Sequence, residues 1–150
     1  MIPFLIALAA ANAAPAQTPA DVMAGLTGSC FRSAMPQGAS DTHCFTLATG
    51  GKLVMDVHAV RDASNKVVYQ GVTVYTPAPD GKIALSYSNS LGEVMPGTVT
   101  RTGDKLDFTL TIEGQAAALS WTLNPGGYDV AGGPVPAHFM RTGAAGEPGL

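Results

Sequence analysis

The chain has 150 residues, of which 46% are hydrophobic and only 13% charged, with a formal net charge of −3. Its eight Lys and Arg residues form no stripe that could neutralise a run of phosphates, which sets nucleic-acid partners aside. No acidic run suggests a calcium loop or a solvating tail.

Met1 to Ala13 reads MIPFLIALAAANA, a short apolar run ending in the small-x-small triplet Ala11-Asn12-Ala13. This is the pattern of a secretory signal peptide cleaved after Ala13, and it falls short of the roughly 20 apolar residues that span a bilayer. The expectation is export to the periplasm or the extracellular space, without stable membrane insertion. Residues 14–19 read as a disordered spacer, 20–142 as one domain and 143–150, rich in Gly and Ala, as a flexible tail. Cys30 and Cys44 are the only cysteines, and in an exported chain such a pair predicts one disulfide.

Thr18 is placed to cap a short helix, with Pro19 at its first position, Asp21 in its first turn and Val22, Met23 and Leu26 on an apolar side. After Gly28 the period changes to that of strands. Strand-like segments run over Gly28–Arg32, Thr42–Ala48, Lys52–Arg61, Lys66–Thr76, Lys82–Asn89, Val94–Arg101, Lys105–Glu113, Ala116–Leu123, Tyr128–Ala131 and Val135–Met140, separated by Gly- and Pro-rich turn signals. Pro96 marks its segment as an edge or bulged strand. Consecutive hairpins without a crossover predict an all-β fold: an antiparallel up-and-down β-barrel of eight to ten strands.

A short helix running into Leu26-Thr27-Gly28-Ser29-Cys30-Phe31, followed by a meander, resembles the lipocalin-like (calycin-type) barrels. Where lipocalins carry G-x-W, this chain has G-x-C with Phe31 next. Asp41-Thr42-His43-Cys44-Phe45, Asp56-Val57-His58, Tyr69-Gln70-Gly71 with Tyr75, and Asn89-Ser90-Leu91-Gly92 are similar to segments of small exported bacterial proteins of uncharacterised function. The resemblance implies a barrel able to hold one small molecule, and brings no known activity.

The segments from Lys52 and Lys66 read as a hairpin. A two- or four-residue loop pairs residues whose numbers sum to an odd value, so His58 would face Tyr69, Asp56 would face Gly71 and Val54 would face Thr73. Asp56, His58, Tyr69, Thr73 and Tyr75 then share one face, and Leu53, Met55, Val57, Ala59, Val68, Val72 and Val74 the other. The next strand adds either Ser86 and Ser88 or Tyr87 and Asn89. Two readings stay open. In one the apolar face fills the barrel and the polar face meets solvent. In the other Asp56, His58, Tyr69, Thr73, Tyr75 and Asn89 line a ligand site, and a dimer partner or the N-terminal helix covers the apolar face.

Three functions follow. The first is a binder of a small, largely apolar molecule, needing no cofactor. The second is an enzyme using His58 with Asp56 for proton transfer and Tyr69 or Tyr75 as acid or anchor. The third is an envelope interaction module with a filled core. His43, His58 and His138 are too dispersed to predict a metal site, and Trp121, alternating with Leu119 and Leu123, reads as core.

Overall fold

The computed structural model describes residues 16–133 and 136–145. The expected signal peptide lies outside them.

A four-residue helix, α1 (Pro19–Val22), opens the described chain. Thr18 Oγ1 accepts a hydrogen bond from the Asp21 amide at 3.2 Å, and Asp21 Oδ2 accepts one from the Thr18 amide at 2.8 Å. Ten strands follow: β1 (Ser29–Ala34), β2 (Ser40–Ala48), β3 (Leu53–Arg61), β4 (Val67–Pro77), β5 (Ile83–Asn89), β6 (Val94–Thr102), β7 (Lys105–Ile112), β8 (Gln115–Asn124), β9 (Gly127–Ala131) and β10 (Ala137–Ala144). Each pairs antiparallel with its neighbours in sequence, and β10 returns to β1, closing a barrel with no free edge. The last strand reaches Ala144, opposite Ser29, so two residues read as tail are ladder.

Closure corrects the reading of β6 as an edge strand. It pairs on both sides, but the β5 ladder covers Val94–Val99 while the β7 ladder covers Gly97–Thr102. The stagger leaves Pro96 with a partner on one side only, where a residue without an N–H fits.

The disulfide joins Cys30 and Cys44 directly across β1 and β2, with a Cα–Cα separation of 4.1 Å. It is consistent with an oxidising, exported location.

The two ends of the barrel differ. Val22, Met23 and Leu26 insert beneath Val54, Tyr75, Ile83, Val99 and Leu106 and form a packed floor. Arg101 Nη1 donates to the carbonyls of Val22 at 3.1 Å and Ala24 at 2.7 Å, and Arg141 donates to the Gly25 carbonyl and to Ser29 Oγ. The helix therefore plugs the floor rather than covering the outer wall. The opposite end, formed by the loops after β1, β3, β5, β7 and β9, is the mouth.

Candidate functional site in the barrel lumen

The polar face of the β3–β4 hairpin points inward. Asp56 is 1% exposed, His58 8%, Thr73 8% and Tyr75 2%, whereas Met55, Val57, Val72 and Val74 are half-buried on the outer wall.

The register is odd-summed, but every partner lies two residues from its expected place. His58 faces Gly71, Asp56 faces Thr73 and Val54 faces Tyr75. The connection explains the shift. Asp62 Oδ1 accepts from the amides of Ser64 at 2.9 Å and Lys66 at 3.0 Å, organising a loop over residues 62–66, one residue longer than expected. A bulge then puts Val60 opposite Tyr69 and Arg61 opposite Val67. One extra loop residue and one bulge residue together restore parity, so the faces survive while the partners move.

The His/Asp pairs are crossed between strands. His43 on β2 and His58 on β3 are direct partners, their rings stacked 4.6 Å apart at 23°. His43 Nδ1 meets Asp56 Oδ2 at 2.7 Å, and His58 Nδ1 meets Asp41 Oδ1 at 3.1 Å. His58 therefore pairs with Asp41, not with Asp56 as the sequence spacing suggested. Diagonal cross-strand neighbours lie within reach of long side chains, and here the diagonal contacts are the shorter ones.

His43 also places Nε2 3.4 Å from Asp41 Oδ2, so both ring nitrogens face carboxylates. Burial, the largest influence, opposes the imidazolium. The charge of Asp56 and the hydrogen bonds to Asp41 and Asp56 outweigh it and raise His43 to about 10. For Asp41, burial pushes the carboxyl up, but hydrogen bonds from His43 and His58 with their charges hold it well below the usual carboxylate range.

From His58 the network continues toward the mouth. His58 Nε2 lies 2.9 Å from the Tyr87 hydroxyl, which lies 2.6 Å from the Tyr69 hydroxyl. Burial first, then the Tyr69 phenol, pushes Tyr87 up, keeping it a hydrogen-bond donor. Asp41, His58, Tyr87 and Tyr69 thus form one continuous hydrogen-bonded chain. Tyr87 reaches His58 across β4 because Gly71 lies between them. A Cβ at Gly71 would sit 2.5 Å from both His58 Nε2 and the Tyr87 hydroxyl oxygen.

Two cavity lobes meet at His43, His58, Tyr87, Leu119 and Trp121. The deep lobe, about 220 Å³, adds Asp56, Thr73, Tyr75, Leu85, Phe108 and Leu110 to that waist. The mouth lobe, about 520 Å³, runs past Asp41 and Tyr69 to Met35 and Pro36. Five of the six ligand residues expected from sequence line one lobe or the other: Asp56, His58, Tyr69, Thr73 and Tyr75. Asn89 stands apart, its Oδ1 accepting from the amides of Leu91 and Glu93 to fix the β5–β6 turn.

Sequence reasoning left Asp41 and His43 out of the site, offered Tyr87 only as one of two alternatives on its strand, and placed Trp121 in the core although it also lines both lobes. The signal for the first two was the repeated D-x-H of Asp41-Thr42-His43 and Asp56-Val57-His58 on adjacent strands.

Asp41, His43 and His58 present three ligand atoms within 4.8 Å of one another. Near-parallel stacking keeps the two ring planes from converging on one ion, and His43 Nε2 would have to shed its proton against two carboxylates. The arrangement is better suited to holding charge and protons within the protein.

No protein-family model matches the chain, and no curated protein matches it. The closed ten-strand antiparallel barrel is compatible with a lipocalin-like barrel.

Proposed function

We propose that this is an exported, lipocalin-like binding protein of the periplasm or extracellular space, holding a small, largely apolar molecule in the mouth half of its barrel. The supporting observation is a hollow lumen with one polar wall. Leu119, Trp121, Val130, Pro136, Ala137 and Phe139 supply apolar surface facing Asp41, His58, Tyr69 and Tyr87. Ligand sites have this balance, with broad apolar contact for affinity and a few fixed polar groups for orientation. The hollow weighs against an interaction module with a filled core. The half-buried outer wall of Met55, Val57, Val72 and Val74 leaves room for a homodimer without requiring one.

Native mass spectrometry of protein purified from its own envelope tests the reading. A co-purifying small molecule, released on unfolding, is the expected result. A single apo mass, together with no chemical-shift change in the lumen across a panel of small apolar compounds, would overturn it.

A second reading rests on the Asp41–His58–Tyr87 chain, in which a carboxylate orients an imidazole beside a phenol. It makes His58 and Tyr87 a proton-transfer pair. Turnover of p-nitrophenyl acetate that is abolished in Tyr87→Phe would favour this enzyme over the binder.

A further inference from the structure

Asp56 is the least exposed carboxylate of the lumen. Its Oδ2 is taken by His43, yet Oδ1 has no hydrogen-bond partner among the described residues. A buried carboxylate oxygen without a donor is costly, because it has lost its water and gained nothing. Asp56 lines the deep lobe, and the rest of that lobe is chosen in a particular way. Tyr75, Tyr87, Phe108 and Trp121 present aromatic rings, and Leu85, Leu110 and Leu119 complete the wall. Ring faces carry negative charge density and attract cations.

Among the described residues, neither lobe has a lysine or arginine in its lining. The one imidazole facing two carboxylates, His43, is clamped between them and has no donor left over. An anionic head would therefore enter a chamber holding Asp41 and Asp56, whose one imidazolium is already paired with both, and find no unpaired counter-charge. A protonated nitrogen would find a carboxylate oxygen in need of a donor, aromatic rings around it, and the hydroxyl-bearing residues Thr73 and Tyr75 in the same wall.

We infer that the deep lobe receives the cationic head of a small aromatic or alicyclic amine, its nitrogen on Asp56 Oδ1 and its apolar body reaching past Trp121 toward the mouth. This rests on the binder reading and adds to it the charge and chemical class of the ligand.

Three probes matched in ring and size separate the alternatives: benzylamine, benzyl alcohol and benzoate. Each is titrated calorimetrically into the mature protein near neutral pH. Benzylamine is expected to bind at least about tenfold more tightly than benzyl alcohol, as a desolvated cation–π and carboxylate contact requires, and benzoate not at all. In Asp56→Asn the preference for the amine should vanish while benzyl alcohol still binds. Benzyl alcohol binding as tightly as benzylamine would overturn the inference and leave the binder reading standing. So would an amine preference that survives in a folded Asp56→Asn protein. Failure of all three at millimolar concentration would count against the lumen as a ligand site, and the inference would fall with it. The comparison within the wild-type protein decides the matter even where Asn at position 56, having weakened the His43 clamp, prevents folding.

Discussion

Replacing Gly71 with alanine probes the site through the residue with the least chemistry in it. Elsewhere in a strand, Gly→Ala stabilises by about 0.5–1 kcal/mol through reduced backbone entropy. Here the new Cβ would lie 2.5 Å from His58 Nε2 and from the Tyr87 hydroxyl oxygen, so the two rings must part. Overpacking of this kind costs about 1–3 kcal/mol, and the lost hydrogen bond adds about 0.5–1.5 kcal/mol. The net expectation is a loss of about 2–3 kcal/mol. Urea unfolding followed by Trp121 fluorescence measures it, with an unchanged m-value showing that only stability moved. The informative comparison is a cycle with Tyr87→Ala, which removes one of the two crowded rings and gives His58 room to swing away from the methyl. In that background Gly71→Ala should cost less than about 1 kcal/mol, leaving a coupling of more than about 1 kcal/mol. Equal costs in the two backgrounds would refute the claim that Gly71 exists to let Tyr87 reach His58.

The pH dependence follows from His43 and Asp41. His43, raised from 6.5 to about 10, contributes stability that is complete below pH 6.5 and disappears as pH climbs through 10. The upper bound is on the order of 4–5 kcal/mol. Asp41, held low, contributes above its ordinary 3.8 and loses that contribution as pH falls. Tm should therefore be highest between about pH 4 and 6.5 and decline on the alkaline side; a flat profile there in differential scanning calorimetry contradicts the assignment. Replacing Cys30 and Cys44 together by Ala removes the constraint on a loop of about 15 residues and should cost roughly 3 kcal/mol in chemical denaturation. Arg141 donates to the Gly25 carbonyl at 2.9 Å and to Ser29 Oγ, and lies 5.1 Å from the centre of the Phe31 ring. Arg141→Ala should lose about 1–3 kcal/mol and raise hydrogen exchange at residues 22–29, whereas unchanged exchange would mean that the floor is held by packing alone.

The strand sequence was legible because turn chemistry punctuates it. Asp62 to Asn65, Pro77 to Gly81 and Gly103-Asp104 each separate segments that became β3 to β7. Face membership was legible too, since alternation along β3 and β4 is insensitive to a shift of two residues. The exact partners were not, because they turned on how Asp62 folds its loop and on a bulge beside Val60, neither of which leaves a periodic trace. Which face turns inward was equally hidden. Apolar residues sit on both faces of these strands, and a hollow lumen inverts the usual rule by burying Asp56 and His58 while Val57 and Val72 line the outside. The crossed pairing of His43 with Asp56 and His58 with Asp41 needs two strands side by side, a relation that spacing along one strand cannot express.

The plug at the floor ties the beginning of the chain to its end. Its carbonyls are held by Arg101 and Arg141, and the Ala145 amide donates to the Gly28 carbonyl at 3.0 Å just as β10 closes on β1. The Arg101 clamp on the helix does not exist until β6 has formed, and nothing seals the first strand until the last has been synthesised. Closure is therefore a late, long-range event, slow by topology. A chain lacking only its final dozen residues would not be a barrel with a shorter tail. It would be an open sheet with two sticky edges and an unanchored stopper, prone to pair with its neighbours.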